Sequence, residues 1–400
     1  MRICVCIGTR PEAIKLAPVI RAIRNHSGDG CLVHLTGQHP DLAAQALAQF
    51  DIAPDSLGDL SGTSPDLNAR FGAVLSQVER LARKHTPDWF VVHGDTATAA
   101  AAALGSFHTK VRVAHVEAGL RTGNLDGPWP EEGYRSMIAR FARLHFASTA
   151  AAKDNLLDEG IPASEIIVTG NTVVDALLQT VDRLNYDRRL HAELDSWYAN
   201  KQMPRRMVLV TLHRRENHGN GIAGICFALR NLAGRFPDVG FMLPIHPNPA
   251  VRGPVMAALA NCNNIRLINP VDYTRFVFLM QKSELILTDS GGIQEEAPSL
   301  KRPVLVMRNE TERPEAVEAG FAKLTGADTL CIEQSVEDTL RGRFKIPDTE
   351  NPFGDGKSAL RIASALSATT IRPQPVVDTS RASGSSRHSA VISCNAGLHV

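Results

Sequence analysis

Short apolar runs alternate with longer amphipathic stretches along most of the chain. RICVCIG, near the start, reads as a buried strand. TRPEAIKLAPVIRAIRNH follows, with Ile14, Ala17, Ile20 and Ile23 at helical spacing, and Pro11 suits the first turn of that helix. CLVHLTG predicts a second strand, and DLAAQALAQF and ARFGAVLSQVERLARKH predict two more helices. DWFVVHGD and VRVAHVE predict strands that run out into polar loops, and PEEGYRSMIARFARLHF predicts a helix. The pattern then restarts with strand-like RMVLVTLH, helical GIAGICFALRNLAGRF, and the strand-like runs VGFMLPIH, IRLINP, ELILTDS and PVLVMR.

Alternation of this kind predicts parallel sheets covered on both faces by helices. The expected fold class is therefore α/β, as two Rossmann-like, doubly wound domains facing a central cleft. The join is expected near TGNTVVDA, Thr169–Ala176, which gives a first domain over 1–170 and a second over 171–356. GKSALRIASALSA is helical in pattern. Beyond it, residues 373–400 are rich in Ser, Pro and Arg without periodicity, and are expected to be a disordered tail.

Composition narrows the function classes. Lys plus Arg number 43 and Asp plus Glu 42, so no electrostatic footprint points to nucleic acid or to an anionic membrane. No apolar run has the length of a membrane span. The N-terminal segment lacks the pattern of a signal peptide, and the expected location is the cytoplasm. The seven cysteines form no CxxC pair. Cys4 and Cys6 alternate on the first strand, so both should face one buried side as small hydrophobes in a reducing compartment.

Ligands of open parallel sheets bind beyond the carboxyl ends of the strands, and here those ends are rich in charge. They carry Arg10 and Lys15, His39, Asp95, Glu117 and Arg121, then His213, Arg214 and Arg215, His246, and Arg308 and Arg313. Any one of these also reads as a solvated turn; their convergence on one cleft is what points to a site. TDSGGIQEEA follows a strand and opens a helix. Gly291 and Gly292 would let backbone N–H groups approach an anion, and the same residues also read as a Ser-capped helix start. Arg10, Lys15 and Arg313 favour the anion, with a diphosphate matching the charge. Asp95, Glu117 and Glu131 would be repelled by phosphate and make sense against a neutral sugar, accepting hydroxyl hydrogens or moving protons. Glu131 also reads as a first-turn helix charge. Asp95, His93 and His115 allow a metal reading, but without a paired ligand spacing no metal is expected.

GTRPEAIKLAP, VHGDTATA, HVEAGLRTG, PWPEEGYR, VTGNTVVDAL, HRREN, TDSGGIQEEAPSL, PVLVMRNETERPEAV and NPFGDGKSA stand in this order over about residues 1–370. In this the chain resembles bacterial non-hydrolysing UDP-N-acetylglucosamine 2-epimerases. The resemblance implies a fold of the glycosyltransferase B type, with UDP in the cleft and a C-terminal helix, about 357–370, returning to the first domain. It also implies a homodimer, no cofactor, and reversible inversion at C2 between UDP-GlcNAc and UDP-ManNAc, which supplies ManNAc-type precursors for surface polysaccharide. The implied route eliminates UDP to give 2-acetamidoglucal and then adds it back. Carried over by motif position, Asp95, Glu117, Glu131 and His213 are the implied catalytic residues. Arg10, Lys15, Arg135, Phe276, Ser290, Gly291, Gly292, Glu296 and Arg313 are the implied UDP-sugar ligands, with Phe276 at the uracil, Glu296 at the ribose, and His213 also beside the leaving diphosphate.

The chain departs from the family's pattern in four places: Tyr134 stands for Asn, Leu212 for a small residue, Pro40 for Arg, and the segment Thr63–Asn68 lacks the Arg-Gln pair near an allosteric UDP-GlcNAc pocket. Weak or absent activation by UDP-GlcNAc is the expectation. The competing readings are a hydrolysing 2-epimerase releasing ManNAc and UDP, a UDP-sugar glycosyltransferase of the same fold, and a nucleotide-sugar binding protein without turnover.

Overall fold

Thirteen parallel strands, all in two sheets, make up the framework among the described residues of the computed structural model, which are 1–27 and 30–369. The expected tail at 373–400 lies outside them. The first sheet contains β1 (Ile3–Ile7), β2 (Cys31–Leu35), β3 (Ser56–Leu57), β4 (Trp89–His93), β5 (Arg112–Ala118), β6 (Ala142–Ala147) and β7 (Ile166–Val168). Their spatial order is β3-β2-β1-β4-β5-β6-β7. The second contains β8 (Arg206–Thr211), β9 (Val239–Pro244), β10 (Ile265–Ile268), β11 (Leu285–Thr288), β12 (Val304–Val306) and β13 (Ala322–Leu324), in the order β10-β9-β8-β11-β12-β13. Each sheet reverses its winding once, between β1 and β4 in the first and between β8 and β11 in the second. These are the crevices where a parallel sheet opens to a ligand.

The period-two pattern works as read. Ile3, Val5 and Ile7 of β1 enter one apolar cluster, while Cys4 and Cys6 enter another on the opposite face. Both thiols are buried and free. Ile14, Ala17, Ile20 and Ile23 form the buried stripe of the helix Arg10–Ser27. One local expectation fails, and one helix has no counterpart among the expected elements. The helix expected to run on through ARLHF stops at Phe141, and Ala142–Ala147 pairs beside β5 as β6. There the spacing of Phe141 and Leu144 fits a helix, but a place in the sheet between β5 and β7 buries Leu144 and Phe146 and satisfies the backbone. The helix Ala97–His108 carries no amphipathic signal in the sequence. Its run of alanines is buried on several sides, so it shows no polar–apolar contrast to detect.

The largest apolar cluster runs from β1 and its helix through the linker helix Thr172–Tyr186, into the second sheet, and on to the returning helix Ser358–Ala368. The chain crosses between the sheets twice, side by side. Asn171 N–H donates to the Phe353 carbonyl at 2.7 Å, and buried Asp175 accepts the backbone N–H groups of Ser358 and Ala359. A Cβ on Gly170 (φ +88) would stand 3.2 Å from Gly354 Cα, so glycine is what lets the two crossings touch.

Candidate active site

The loops after β1, β4, β5, β8, β11 and β12 meet over the two switch points and enclose a cleft with two lobes. One, about 430 Å³, is lined largely by apolar groups such as Pro11, Ile14, Val173, Pro270, Val271 and Phe276. Arg10, His213, Ser290, Gly292 and Glu296 also face it. The other, about 530 Å³, is polar and is faced by Asp95, Glu117, Glu131, Arg135 and Arg313. Lys15 and Pro11 line both. Of the thirteen residues expected at the site, twelve line one lobe or the other; Gly291 lies just behind.

Gly291 has a different task from the one expected. A Cβ there would meet the Arg313 guanidinium at 2.7–2.8 Å, whereas one on Gly292 would meet nothing within 4 Å. Gly291 therefore makes room for an arginine, and Gly292 is the glycine open to a ligand. The helix they begin, Gly291–Glu296, has six residues, so its dipole is small. Its two glutamates part company. Glu296 accepts from the Tyr273 hydroxyl at 2.7 Å and faces the apolar lobe, where burial, reinforced by neighbouring Glu295, lifts its carboxyl to a pKa of about 7. Glu295 turns to Lys15 (3.5 Å) and Arg313 (2.9 Å).

Two of the three cations expected to await an anion, Lys15 and Arg313, are in fact paired. Lys15 Nζ donates to Glu117 Oε1 at 2.6 Å, and Arg313 holds Glu295 and, at 2.6 Å, Glu312. Burial works against both cations, but the surrounding carboxylates keep them charged. Arg135 is bound to Asp95 (2.9 and 2.7 Å) and Glu132 (3.0 Å) and stands 4.0 Å from Glu312. It thus orients an acid as well as facing the lobe. Glu312 is held below the ordinary carboxylate range, against its burial, by Arg313, Arg135 and Arg214. Glu295 and Glu312 carry no signal of their own in the sequence; the EE pair and the TERPE segment are visible, but Lys15 and Arg135, which they face, lie on distant helices.

Glu117 owes its position to an irregularity. β5 shifts register against β6 between Val116 and Ala118, and Glu117 sits there at φ +62, a left-handed conformation that is strained for a side-chain-bearing residue. The bulge turns the carboxylate into the polar lobe. Besides Lys15, it accepts from Asn171 Nδ2 at 3.1 Å, and His93 Nε2 stands 3.0 Å from Oε2. Burial disfavours its charge, yet Lys15, His93 and Arg313 more than offset this and hold it well below the usual range. Glu131 presents a buried oxygen with no hydrogen-bond partner. His213 Nδ1 lies 3.0 Å from Asp289, a fully buried carboxylate that also accepts the backbone N–H groups of His213 and Arg214. Asp289 was the other missed residue, although TDSGG displayed it. Arg10 donates to the Val271 carbonyl across the cleft at 3.0 Å.

The metal reading does not assemble. Asp95 goes to Arg135, His93 to Glu117, and His115 Nε2 to the Gly94 carbonyl. Arg121 is engaged by Glu159 and Arg308 by Glu216, outside both lobes. Of the departures, Tyr134 lines the polar lobe and stacks on Phe71, Leu212 lines the apolar one, and Pro40 opens the helix Pro40–Ala48. No helix of the described residues is long and apolar enough to cross a membrane.

Two doubly wound sheets that share a cleft across their switch points, half apolar and half charged, define an α/β architecture of the glycosyltransferase B type. A family model described as UDP-N-acetylglucosamine 2-epimerase matches residues 21–367, and this chain belongs to that family. A probable UDP-N-acetylglucosamine 2-epimerase of Ralstonia nicotianae is 46% identical over 370 residues, 92% of this chain and 99% of the relative. The crystal structure of UDP-GlcNAc 2-epimerase from Neisseria meningitidis bound to UDP-GlcNAc superposes with a TM-score of 0.86 at 41% identity, covering 92% of this chain and all of the other. The Methanocaldococcus jannaschii UDP-GlcNAc 2-epimerase in complex with UDP-GlcNAc and UDP gives 0.79 at 34%, with coverage of 92% and 100%.

Proposed function

We propose that the protein interconverts UDP-GlcNAc and UDP-ManNAc by inversion at C2, without net hydrolysis. The observation that carries this is the pairing of an apolar lobe suited to a nucleoside with a lobe of carboxylates, joined at Lys15. The uracil lies by Phe276 and the ribose hydroxyls by Glu296, with the diphosphate between Arg10, Lys15, His213, Ser290, Gly292 and Arg313. The sugar then falls among Asp95, Glu117 and Glu131.

No carbonyl neighbours C2, so its hydrogen is not acidic enough for direct removal. In the proposed route the C1–O bond breaks and its electron pair leaves with UDP. A carboxylate takes the C2 proton, and the C–H pair becomes the C1–C2 double bond of 2-acetamidoglucal. UDP adds back to C1 while a proton arrives at the other face of C2. Two faces require two proton carriers, which is why one carboxylate would not suffice. Cations beside the diphosphate stabilise the leaving charge. The sequence of steps is redox-neutral and calls for no cofactor.

Bonds across the cleft support closure around the glycal. They include Lys15 to Glu295, Arg10 to the Val271 carbonyl, and Thr274 N–H to Gln49 Oε1; a closed site keeps water from the intermediate. Proton NMR of UDP-GlcNAc with the enzyme in deuterated water is the test. Both epimers should gain deuterium at C2, and epimer formed with full retention of the C2 hydrogen would refute the elimination. Accumulation of free ManNAc would point to the hydrolysing reaction instead. We also propose that activation by a second UDP-GlcNAc is weak, given Pro40 and Thr63–Asn68. A long lag from pure UDP-ManNAc, abolished by a trace of UDP-GlcNAc, would contradict it.

A further inference from the structure

The two oxygens of Glu117 are unequally served. Oε1 receives Lys15 Nζ at 2.6 Å and Asn171 Nδ2 at 3.1 Å. Near Oε2 stands His93 Nε2, at 3.0 Å. That nitrogen is buried and makes no aligned hydrogen bond, and the His93 residue is only 4% exposed. A buried polar atom left without a bond is costly, so the arrangement is one misaligned contact short of satisfaction. Alternation along β4 puts His93 on the face of Trp89 and Val91, where a merely structural histidine would also sit. Such a histidine, however, would be expected to have found a partner.

Lys15 competes with His93 for the same carboxylate. It lines both lobes, draws Glu117 by its Oε1 and also reaches Glu295. A diphosphate lodged between the lobes competes for the same ammonium. Once Lys15 turns to phosphate, Oε1 loses its shortest bond and the carboxylate is free to settle on His93. We propose that His93 is a positioning residue which takes over Glu117 when a nucleotide diphosphate draws Lys15 away, anchoring Oε2 and leaving Oε1, with Asn171 still bonded to it, open to the C2 proton. This rests on the reading that Glu117 moves a C2 proton. It gives the enzyme a base that is quenched by Lys15 while the cleft is empty and released by the nucleotide itself.

The charged and titratable groups facing this pair are Lys15 and Glu12 from the helix after β1, His115 from β5, and Arg313 from the loop after β12. Glu12 is fixed by Gly8 N–H, Thr9 N–H and the Thr96 hydroxyl, and both Glu12 and His115 lie within electrostatic reach of His93. The test compares His93→Phe with His93→Gln, whose amide nitrogen reaches the position of Nε2. In His93→Phe, kcat should fall about 30- to 100-fold, with UDP affinity within about threefold of the parent and the acid limb of the kcat–pH profile displaced. His93→Gln should recover most of the loss and restore the limb. A readout independent of turnover is the Nε2 resonance of His93, identified by its disappearance in His93→Gln. It should move when UDP saturates the parent, and Lys15→Met without nucleotide should already show the moved position. Parent-like turnover in His93→Phe overturns the proposal, as do equal losses in both variants with an unmoved pH limb, or a resonance indifferent to bound UDP. If UDP does not bind the parent at all, the nucleotide reading itself fails and takes this one with it.

Discussion

The apolar lobe and the polar lobe hold their groups in different ways. In the first, rings and branched side chains such as Pro11, Pro270, Val271 and Phe276 set the shape, and Glu296 is tied to buried Tyr273. A flat base entering there meets walls already in place. In the second, three carboxylates already have a counter-charge: Asp95 has Arg135, Glu117 has Lys15, and Glu312 has Arg313, while Glu12 is held by neutral donors. A ligand there exchanges partners; it does not fill a vacancy. Substitutions of those apolar walls should therefore move affinity alone. In the second lobe, substitutions should cost stability as well as function, because each removal strands a buried charge.

The largest effect should come from Glu117→Gln. Turnover should drop by roughly 10²–10⁴ while calorimetry finds UDP binding retained; a parallel loss of both would erase the distinction between the lobes. Next is Arg313→Ala. UDP affinity should weaken by about 1.5–3 kcal/mol, and the melting temperature should fall as well, since Glu295 and Glu312 lose their partner. An unchanged UDP affinity in a folded variant would contradict the assignment.

The third prediction concerns pH. Glu296 titrates near 7 in the fold against an ordinary 4.5, so between those values the fold keeps a proton that the unfolded chain has released. Its stability contribution is full below about 4.5 and declines as pH rises to 7, by an amount on the order of 3 kcal/mol. Glu296→Gln should flatten that slope in thermal melts. UDP affinity should run the opposite way, falling up to about tenfold per unit below pH 7, because ribose hydroxyls need the ionised carboxylate as acceptor. The smallest and most discriminating comparison is between adjacent alanines. Gly291→Ala should displace the Arg313 guanidinium and lower the melting temperature, whereas Gly292→Ala should leave the melting temperature unaltered and weaken UDP by a few-fold.

What was legible in the sequence follows the range of the interactions. Strand ends and helix stripes are local, so the alternation exposed the α/β order and put Arg10, Glu117, His213 and Glu296 at or just beyond the strand ends that form the cleft. Where burial is uniform, as in the Ala97–His108 helix, no contrast remains to be read. The pairings of Lys15, Arg313 and Arg135 depend on residues 102, 18 and 40 positions away. Spacing carries no trace of these, and cations that look free along the chain are neutralised in the fold. The bulge at Glu117 is likewise a property of β6 lying beside β5, and the motif HVEAG shows the acid without its direction.

The double crossing at Gly170–Asn171 and Phe353–Ser358 has a mechanical consequence. One covalent connection would act as a swivel, about which the two halves could twist, slide and tilt. Two connections pressed together and pinned by Asp175 define a line, as two pins define the edge of a door. Rotation about that line remains easy while torsion and sliding are resisted. The motion left to the cleft is then nearly a single coordinate, along which Lys15 and Glu295 approach and part in register each time.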